Sequence, residues 1–353
     1  MKNFYLPSDI AEIGSRLEPI YDLLSGKTIV LTGAGGFLGR YFVETFRYLN
    51  ENHLDRPIKT IALDNFITLD KAPAAPTDDP NLTFMVHDVI QLFAIDEPVD
   101  YVMHAAGIAS PFYYRAFPLE TMEVAITGTK NMLNMAQEKS ARFTFFSSSE
   151  IYGDPDPKHV PMQESYRGNV ASQGPRACYD ESKRVGETLC YVFHEVKGTA
   201  TNVIRPFNVY GPGMMEADYR VLPNFAGRIK AGIPLNVYGS GHQTRTFCYI
   251  TDAIVGFLLV MAKGVPGATY NIGNPRPEIS MLELVSLIED VMGKSLDKHI
   301  IEYPDSYPAD EPQRRCPDIQ KARTQLKFDP VIEIRDGLEN FLTWADGVYQ
   351  GKA

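Results

Sequence analysis

The chain carries four cysteines in 353 residues, Cys178, Cys190, Cys248 and Cys316, and no Cys-x-x-Cys pair. That spacing excludes the common zinc and thiol-redox motifs and leaves reduced, partly buried thiols as the expectation. Long apolar runs are missing as well, so no segment reaches the length of a membrane span. The N-terminus lacks a basic stretch followed by an apolar one, as a secretory leader would have, and a cytoplasmic protein without a membrane partner is expected. Positive charge is in deficit: 34 Lys and Arg stand against 44 Asp and Glu, a net charge of −10. This excludes a nucleic-acid polyanion as main partner but leaves room for a local basic pocket holding a small phosphate ligand. Internal repeats and low-complexity blocks are absent, and "KAPAAPTDDPN" (71–81) is the most loop-like stretch. What remains is an ordinary globular composition, 44% hydrophobic and 22% charged, long enough for one large domain or two medium ones.

The order of elements points to an α/β fold. "TIVLT" (28–32) reads as a buried strand and runs straight into glycines and then a helical pattern. Further strands are predicted in "KTIALD" (59–64), "LTFMVHD" (82–88), "VDYVMHAA" (99–106), "RFTFFSSS" (142–149) and "TATNVIRP" (199–206). Helical stretches separate several of them, the pattern of a Rossmann-type, doubly wound parallel sheet. Beyond residue 206 short strands such as "IPLNVYG" (233–239) mix with helices such as "SMLELVSLIEDVMG" (280–293). We therefore expect a helical extension over 1–26, a dinucleotide-binding domain over 27–206 and a smaller α/β substrate domain over 207–345. That boundary is expected to be discontinuous, with "TYNIGN" (269–274) returning to the large sheet. In the extension Ile10, Ile13, Leu17, Ile20 and Leu24 recur at helical spacing, with Ser8 or Asp9 as candidate cap.

Three stretches carry chemistry. Gly33, Gly36 and Gly39 in "GAGGFLG" follow a strand and open a helix; without Cβ atoms the chain can turn tightly and approach a pyrophosphate at the helix N-terminus. Asp64 ends the next strand, where a carboxylate accepts both ribose hydroxyls and repels a 2′-phosphate, so NAD is favoured over NADP. "CYDESKR" (178–184) puts Tyr179 and Lys183 four apart on one helix face. A nearby ammonium favours phenolate, which would suit Tyr179 for moving a proton on or off a sugar hydroxyl. Finally "SSSEIYG" (147–153) ends a strand in three hydroxyls and a carboxylate. Alone, such a run is an ordinary loop or helix cap.

The glycine loop, Asp64, "HDV" (87–89), "HAA" (104–106), Ser148, Tyr179 with Lys183, and "RPFNVYGP" (205–212) together resemble the extended short-chain dehydrogenase/reductases that act on nucleotide sugars. Within them "SSSEIYGDP", "GPRACYDESKRVGETLCY", "NVYGSGHQTRTFCYITD", "YNIGNP" and "PQRRCPDIQKAR" are most similar to the UDP-glucuronate decarboxylases, or UDP-xylose synthases. The resemblance spans about residues 27–345. It implies NAD held by Gly33, Gly36, Phe37, Leu38, Gly39, Asp64, Asn65, Asp88, Val89, Ala105, Ala106, Tyr179, Lys183 and Pro206. It implies a nucleotide sugar held by Ser110, Tyr114, Asn208, Arg220, Val221, Tyr238, Arg245 and Arg315, with Arg315 preferred over Arg314 for the diphosphate. Ser148 would bond the C4 oxygen, Glu150 would serve acid/base chemistry near C5, and Arg245 would position the substrate carboxylate. A homodimer paired through helices, one of them carrying Tyr179 and Lys183, is also implied.

Two departures stand out. Gly107-Ile108 replaces a Ser-Pro pair, although Ser110-Pro111 keeps the second such pair, and Ala125 stands where the family carries Asn. They leave a UDP-glucuronate 4-epimerase and a nucleotide-sugar 4,6-dehydratase open as alternatives. The dehydratases carry Asp-Glu where this chain has Ser149-Glu150. From another class, a non-catalytic NAD or nucleotide-sugar sensor stays open, against which stands the intact Ser148, Tyr179 and Lys183 set.

Overall fold

The computed structural model describes residues 4–68, 79–303 and 312–351. Its centre is a seven-stranded, all-parallel sheet of β1 (Thr28–Thr32), β2 (Lys59–Asp64), β3 (Leu82–Val86), β4 (Tyr101–His104), β5 (Arg142–Phe146), β6 (Thr201–Pro206) and β7 (Thr269–Ile272). The order across the sheet is β3-β2-β1-β4-β5-β6-β7. This is the Rossmann order with one strand added, and the direction of winding reverses between β1 and β4. The Thr269–Ile272 strand pairs with β6 in parallel register, Tyr270 opposite Ile204.

Alternation within the strands builds two cores. Ile29, Leu31, Ala62, Tyr101 and Met103 face one side, packed with helices Phe37–Asn52 and Ile250–Lys263. Val30, Ile61, Leu63, Val102, Phe143 and Phe145 face the other, against Met132, Leu133 and Phe193. Side chains of a strand alternate between faces, and a sheet covered on both reads as a continuous apolar run. β1 and β4 are accordingly buried throughout.

The strands end earlier than the sequence suggests. β3 stops at Val86, β4 at His104 and β5 at Phe146. The residues beyond, His87-Asp88, Ala105-Ala106 and Ser147 to Ser149, leave the ladder together on the carboxyl side of the sheet, where α/β folds bind ligands. Outside the sheet, strand Leu235–Tyr238 pairs with Lys298–Ile301, and Ile279–Ser280 and Arg314–Arg315 flank Thr244–Arg245. The expected helix over 280–293 spans Met281–Met292, opened by a capping box of Ser280 and Glu283 and closed by Gly293 at φ 65°.

The N-terminal reading needs correction. The helix runs only Pro7–Arg16, followed by a 3₁₀ turn, Glu18–Ile20, and a short helix, Tyr21–Leu24. Pro19 cannot continue the first helix, which explains the break. Neither Ser8 nor Asp9 caps it: the cap position is Leu6, without a side-chain bond. Asp9 is instead buried and accepts hydrogen bonds from the hydroxyls of Tyr41 and Tyr249. The five apolar residues of the pattern are buried as expected. Of the predicted loop 71–81, residues 71–78 lie outside the described residues.

Candidate active site

The glycine turn after β1 shows why each glycine is needed. Gly33 adopts φ +73°, and a Cβ there would come within 2.9 Å of the Ala105 backbone. A Cβ on Gly39 would lie 2.1 Å from the Gly33 carbonyl oxygen, so helix Phe37–Asn52 could not approach the turn. Asp64 Oδ2 accepts from Gly35 N at 2.8 Å and Oδ1 from Phe66 N at 2.7 Å. Burial raises the Asp64 pKa, opposed by those two amides and by Arg40. Asn65 donates to Asp88 at 3.0 Å, tying the ends of β2 and β3 together.

These groups open onto a cavity of about 380 Å³ at the β1/β4 switch point. Gly33, Gly36, Phe37, Leu38, Gly39, Asp64, Asn65, Asp88, Val89, Ala105 and Ala106 all line it. Tyr179 and Lys183 lie at its inner end, sharing a narrow cleft with Ala106, Gly107 and Ile108. Pro206, the last residue of β6, is on neither wall. The helix over this crevice contains one π-helical turn, Val124–Gly128, which holds Ala125 buried and brings Val124 to the wall.

A second cavity, of about 170 Å³, adjoins the first; Ala109 and Arg220 line both. Tyr114, Glu150, Tyr179, Asn208, Arg220, Val221, Tyr238, Arg245 and Arg315 line it. Ser110 does not; it precedes helix Pro111–Ala116, and among the described residues its buried hydroxyl has no hydrogen-bond partner. Ser148 also lies outside the lining, directly behind it: its hydroxyl accepts from Glu150 N at 3.2 Å, capping the turn Ser149–Tyr152. The serine run thus does both things a sequence can suggest, capping a turn and standing beside Tyr179.

Tyr179 and Lys183 share one face of helix Ala177–Lys197. The Lys183 ammonium donates to the Phe146 carbonyl at 2.8 Å and sits 5.7 Å from the Tyr179 ring centre. Tyr114 stacks on Tyr179, ring centres 5.2 Å apart and planes 11° from parallel. The expectation that Lys183 lowers the phenol's pKa is not met. Burial pushes Tyr179 up to about 12, with Ser148 and Arg220 pulling the other way. Burial also pushes Lys183 down to about 8. In a dry site both groups are driven toward their neutral forms.

Glu150 departs most from expectation. Its carboxylate is held by both nitrogens of the Arg315 fork, Nη2 at 2.7 Å, and by Arg176. Arg315, expected from the sequence on a diphosphate, pairs here with Glu150 while still lining the cavity. Its neighbour Arg314 points elsewhere and pairs with Glu278 at 2.7 Å. Arg220 pairs with Asp218, Arg245 donates to the Thr244 carbonyl at 2.8 Å, and Asn208 donates to the Thr246 carbonyl at 2.8 Å. Arg176 and Asp180 escaped the sequence reading. They lie i,i+4 at the start of the Tyr179 helix, inside "GPRACYDESKR", and that spacing was the available signal. Beneath the site a buried network was also missed: Glu187 pairs with Arg205 at 2.6 Å and accepts from Ser147, and Arg205 donates to the Tyr152 hydroxyl at 2.7 Å. It fixes the polar end of β5 against β6.

The model of the NAD dependent epimerase/dehydratase family matches residues 29–273. The chain belongs to that family. The UDP-glucuronic acid decarboxylase 1 of Arabidopsis thaliana is 38% identical over 316 residues, covering 89% of this chain and 69% of that protein. That of Xenopus tropicalis is 37% identical over 313 residues, covering 88% and 70%. Among solved structures, the UDP-glucuronic acid 4-epimerase of Bacillus cereus, in complex with UDP-glucuronic acid and NAD, superposes with a TM-score of 0.77 at 26% identity, covering 91% of this chain and all (100%) of that one. A dTDP-glucose 4,6-dehydratase of Streptomyces venezuelae, DesIV, shares the fold at a TM-score of 0.77 and 24% identity, over 91% and 97% of the two chains. The cofactor of this family is NAD, and the groups around the larger cavity suit it: bare glycine backbone at a helix N-terminus for a pyrophosphate and a carboxylate for a ribose.

Proposed function

We infer that the protein is an NAD-dependent decarboxylase of UDP-glucuronate, acting through a 4-keto sugar and giving UDP-xylose or the 4-keto pentose. The observation that carries this reading is one cavity lined by Tyr179, Glu150 and Arg245 together, next to the dinucleotide crevice. The relatives at 36–38% identity support it.

A uronic acid does not lose carbon dioxide readily, because the electron pair left on C5 has nowhere to go. NAD held over the Gly33–Gly39 turn and Asp64 would supply the remedy, a hydride acceptor at C4 that could later return the hydride, so that no external reductant would be consumed. Tyr179 takes the C4 hydroxyl proton, and Ser148 holds the oxygen. The C5–C6 bond then breaks, carbon dioxide leaves, and its electron pair moves into the C4 carbonyl as an enolate. Lys183 stabilises charge at that oxygen. Arg245 positions the carboxylate; gripping it too tightly would favour the charged ground state over the transition state. Glu150 conducts a proton to C5. Arg220, Asn208, Val221, Tyr238 and Tyr114 hold the nucleotide sugar. Arg315 enters this scheme through Glu150.

Because kcat/KM reports the free enzyme, its alkaline limb is expected near the Lys183 pKa of about 8. The ammonium is present below that pH and lost above it, so kcat/KM falls as pH rises through 8. Stability moves the opposite way. The pKa is depressed in the fold, so the unfolded chain binds more protons between about 8 and 10.5, and Lys183 opposes folding less as pH rises. A Lys183→Met variant should lose this limb; a limb unchanged in that variant assigns it to another group.

A homodimer is the assembly we favour. Val192 and Val196, exposed at 43% and 75% and one turn apart, leave an apolar stripe on the Tyr179 helix beside exposed Tyr191, and Leu119, Met122 and Ile126 add another on the helix beside it. Four free cysteines suit a cytoplasmic enzyme. Trapped carbon dioxide tests the main reading: UDP-glucuronate with the NAD-loaded protein should release one equivalent. UDP-galacturonate without gas would instead support the 4-epimerase, which the Bacillus cereus neighbour keeps as the second reading.

A further inference from the structure

Glu150 is asked to handle a proton at C5, yet its carboxylate is gripped from two sides. Arg315 approaches from strand Arg314–Arg315 and takes both oxygens in a fork. Arg176 approaches from the start of the Tyr179 helix and takes Oε2. Arg176 is itself 8% exposed, lines the sugar cavity, and is backed by Asp180 one turn along, with Nε 3.5 Å from Oδ2. Two carboxylates and two guanidiniums thus form one cluster, buried at Arg176, Asp180 and Arg315 and half-buried at Glu150. Its charges balance, and its members come from three separate elements.

We propose that Arg176 is a positioning residue: anchored by Asp180, it sets which face of the Glu150 carboxylate meets the sugar. The proposal rests on the decarboxylase reading. Arg315 alone can hold Glu150 in the cavity wall, but a single fork leaves the carboxylate free to swing about the pairing axis. Arg176 removes that freedom, and because it and Tyr179 sit at the start of one helix, it places Glu150 relative to the residue that takes the C4 hydroxyl proton. Guanidinium geometry matters here, since a lysine would supply charge without a fixed direction.

The setting of Asp180 fits an anchor. Glu150 and Arg315 face it from their own elements, Tyr114 from helix Pro111–Ala116, and Arg176, Cys178 and Tyr179 from its own helix. Burial and the Glu150 charge push its pKa up to about 7, against the two arginines. Among the described residues its Oδ1 has no hydrogen-bond partner, and Arg176 pairs with its Oδ2. Without Arg176, Asp180 would be a buried carboxylate facing Glu150, and the pair would drift apart or take up a proton.

The step affected is the C5–H bond, formed when the enolate's electron pair takes a solvent proton through Glu150. C4 oxidation does not use Glu150. Arg176→Lys and Asp180→Asn are therefore compared with the native enzyme for enzyme-bound NADH absorbance and pentose formation with UDP-glucuronate. Misplacing a proton-transfer group by about 1 Å costs on the order of 100-fold, so we expect pentose formation by Arg176→Lys to fall by about that factor. KM should be little changed, and NADH should accumulate because its return to C4 waits on C5 protonation. Asp180→Asn should show the same pattern with a smaller fall, and it decides the matter if Arg176→Lys fails to fold. Native-like turnover in both variants, or a parallel loss of substrate binding and NAD reduction, overturns the proposal. If the native enzyme releases no carbon dioxide, it is the decarboxylase reading that fails.

Discussion

Tyr179→Phe should leave a folded, NAD-loaded protein that no longer oxidises its substrate. The ring keeps its stack on Tyr114 and loses only a hydroxyl. The cofactor cavity is built from Gly33, Gly36, Gly39 and Asp64, none of which the change touches. On the proposed mechanism, what disappears is the group that accepts the C4 proton as hydride departs. General acid–base catalysis of this kind is worth roughly 10²–10⁴-fold. We expect the upper half of that range, because in the proposed mechanism Ser148 and Lys183 only polarise the oxygen and Tyr179 alone takes its proton. The free phenol has its pKa raised to about 12, so the native reaction must lower it during turnover. Rapid mixing with UDP-glucuronate, following NADH absorbance, checks this; a native-like burst of NADH would reassign the base.

Glu150→Gln should separate binding from chemistry. The native carboxylate neutralises Arg176 and Arg315 inside the sugar cavity. An amide there leaves two buried guanidiniums short of a counter-charge, and breaking a buried ion pair from one side costs about 3–5 kcal/mol of stability. An anionic substrate then meets a more positive pocket, so KM should hold or fall. Turnover should drop by about 10²-fold or more with the proton path to C5 lost. A fall in kcat with KM unchanged or lower is the mark of an interaction made beyond the ground state. A rise in KM with kcat preserved would make Glu150 a binding residue only.

Much of this was legible in the chain because the signals are local. The β1–glycine–helix order needs only neighbouring residues, and so does the Tyr179 to Lys183 spacing on one helix face. Apolar runs such as "TIVLT" and "YVMH" declared a sheet covered on both sides. The strand ends were harder, since a polar residue leaving the ladder, such as Ser148, looks in sequence like one still in it. The pKa values ran opposite to the local argument for a similar reason. An ammonium four residues from a phenol suggests acidification, but burial, which depends on the whole fold, outweighs it for Tyr179 and Lys183 alike. Arg176 and Asp180 were in view inside a quoted motif, yet their role depends on Glu150 and Arg315, which are distant in sequence. Arg314 and Arg315 could not be told apart until the strand placed one outward on Glu278 and the other inward on Glu150.

The most direct test of the account is proton NMR of the purified protein with UDP-glucuronate and NAD⁺ in D₂O. The account predicts a UDP-pentose carrying one deuterium at C5, because carbon dioxide leaves before a solvent proton arrives there. A six-carbon UDP-uronate recovered whole, with only its C4 configuration changed, would contradict it.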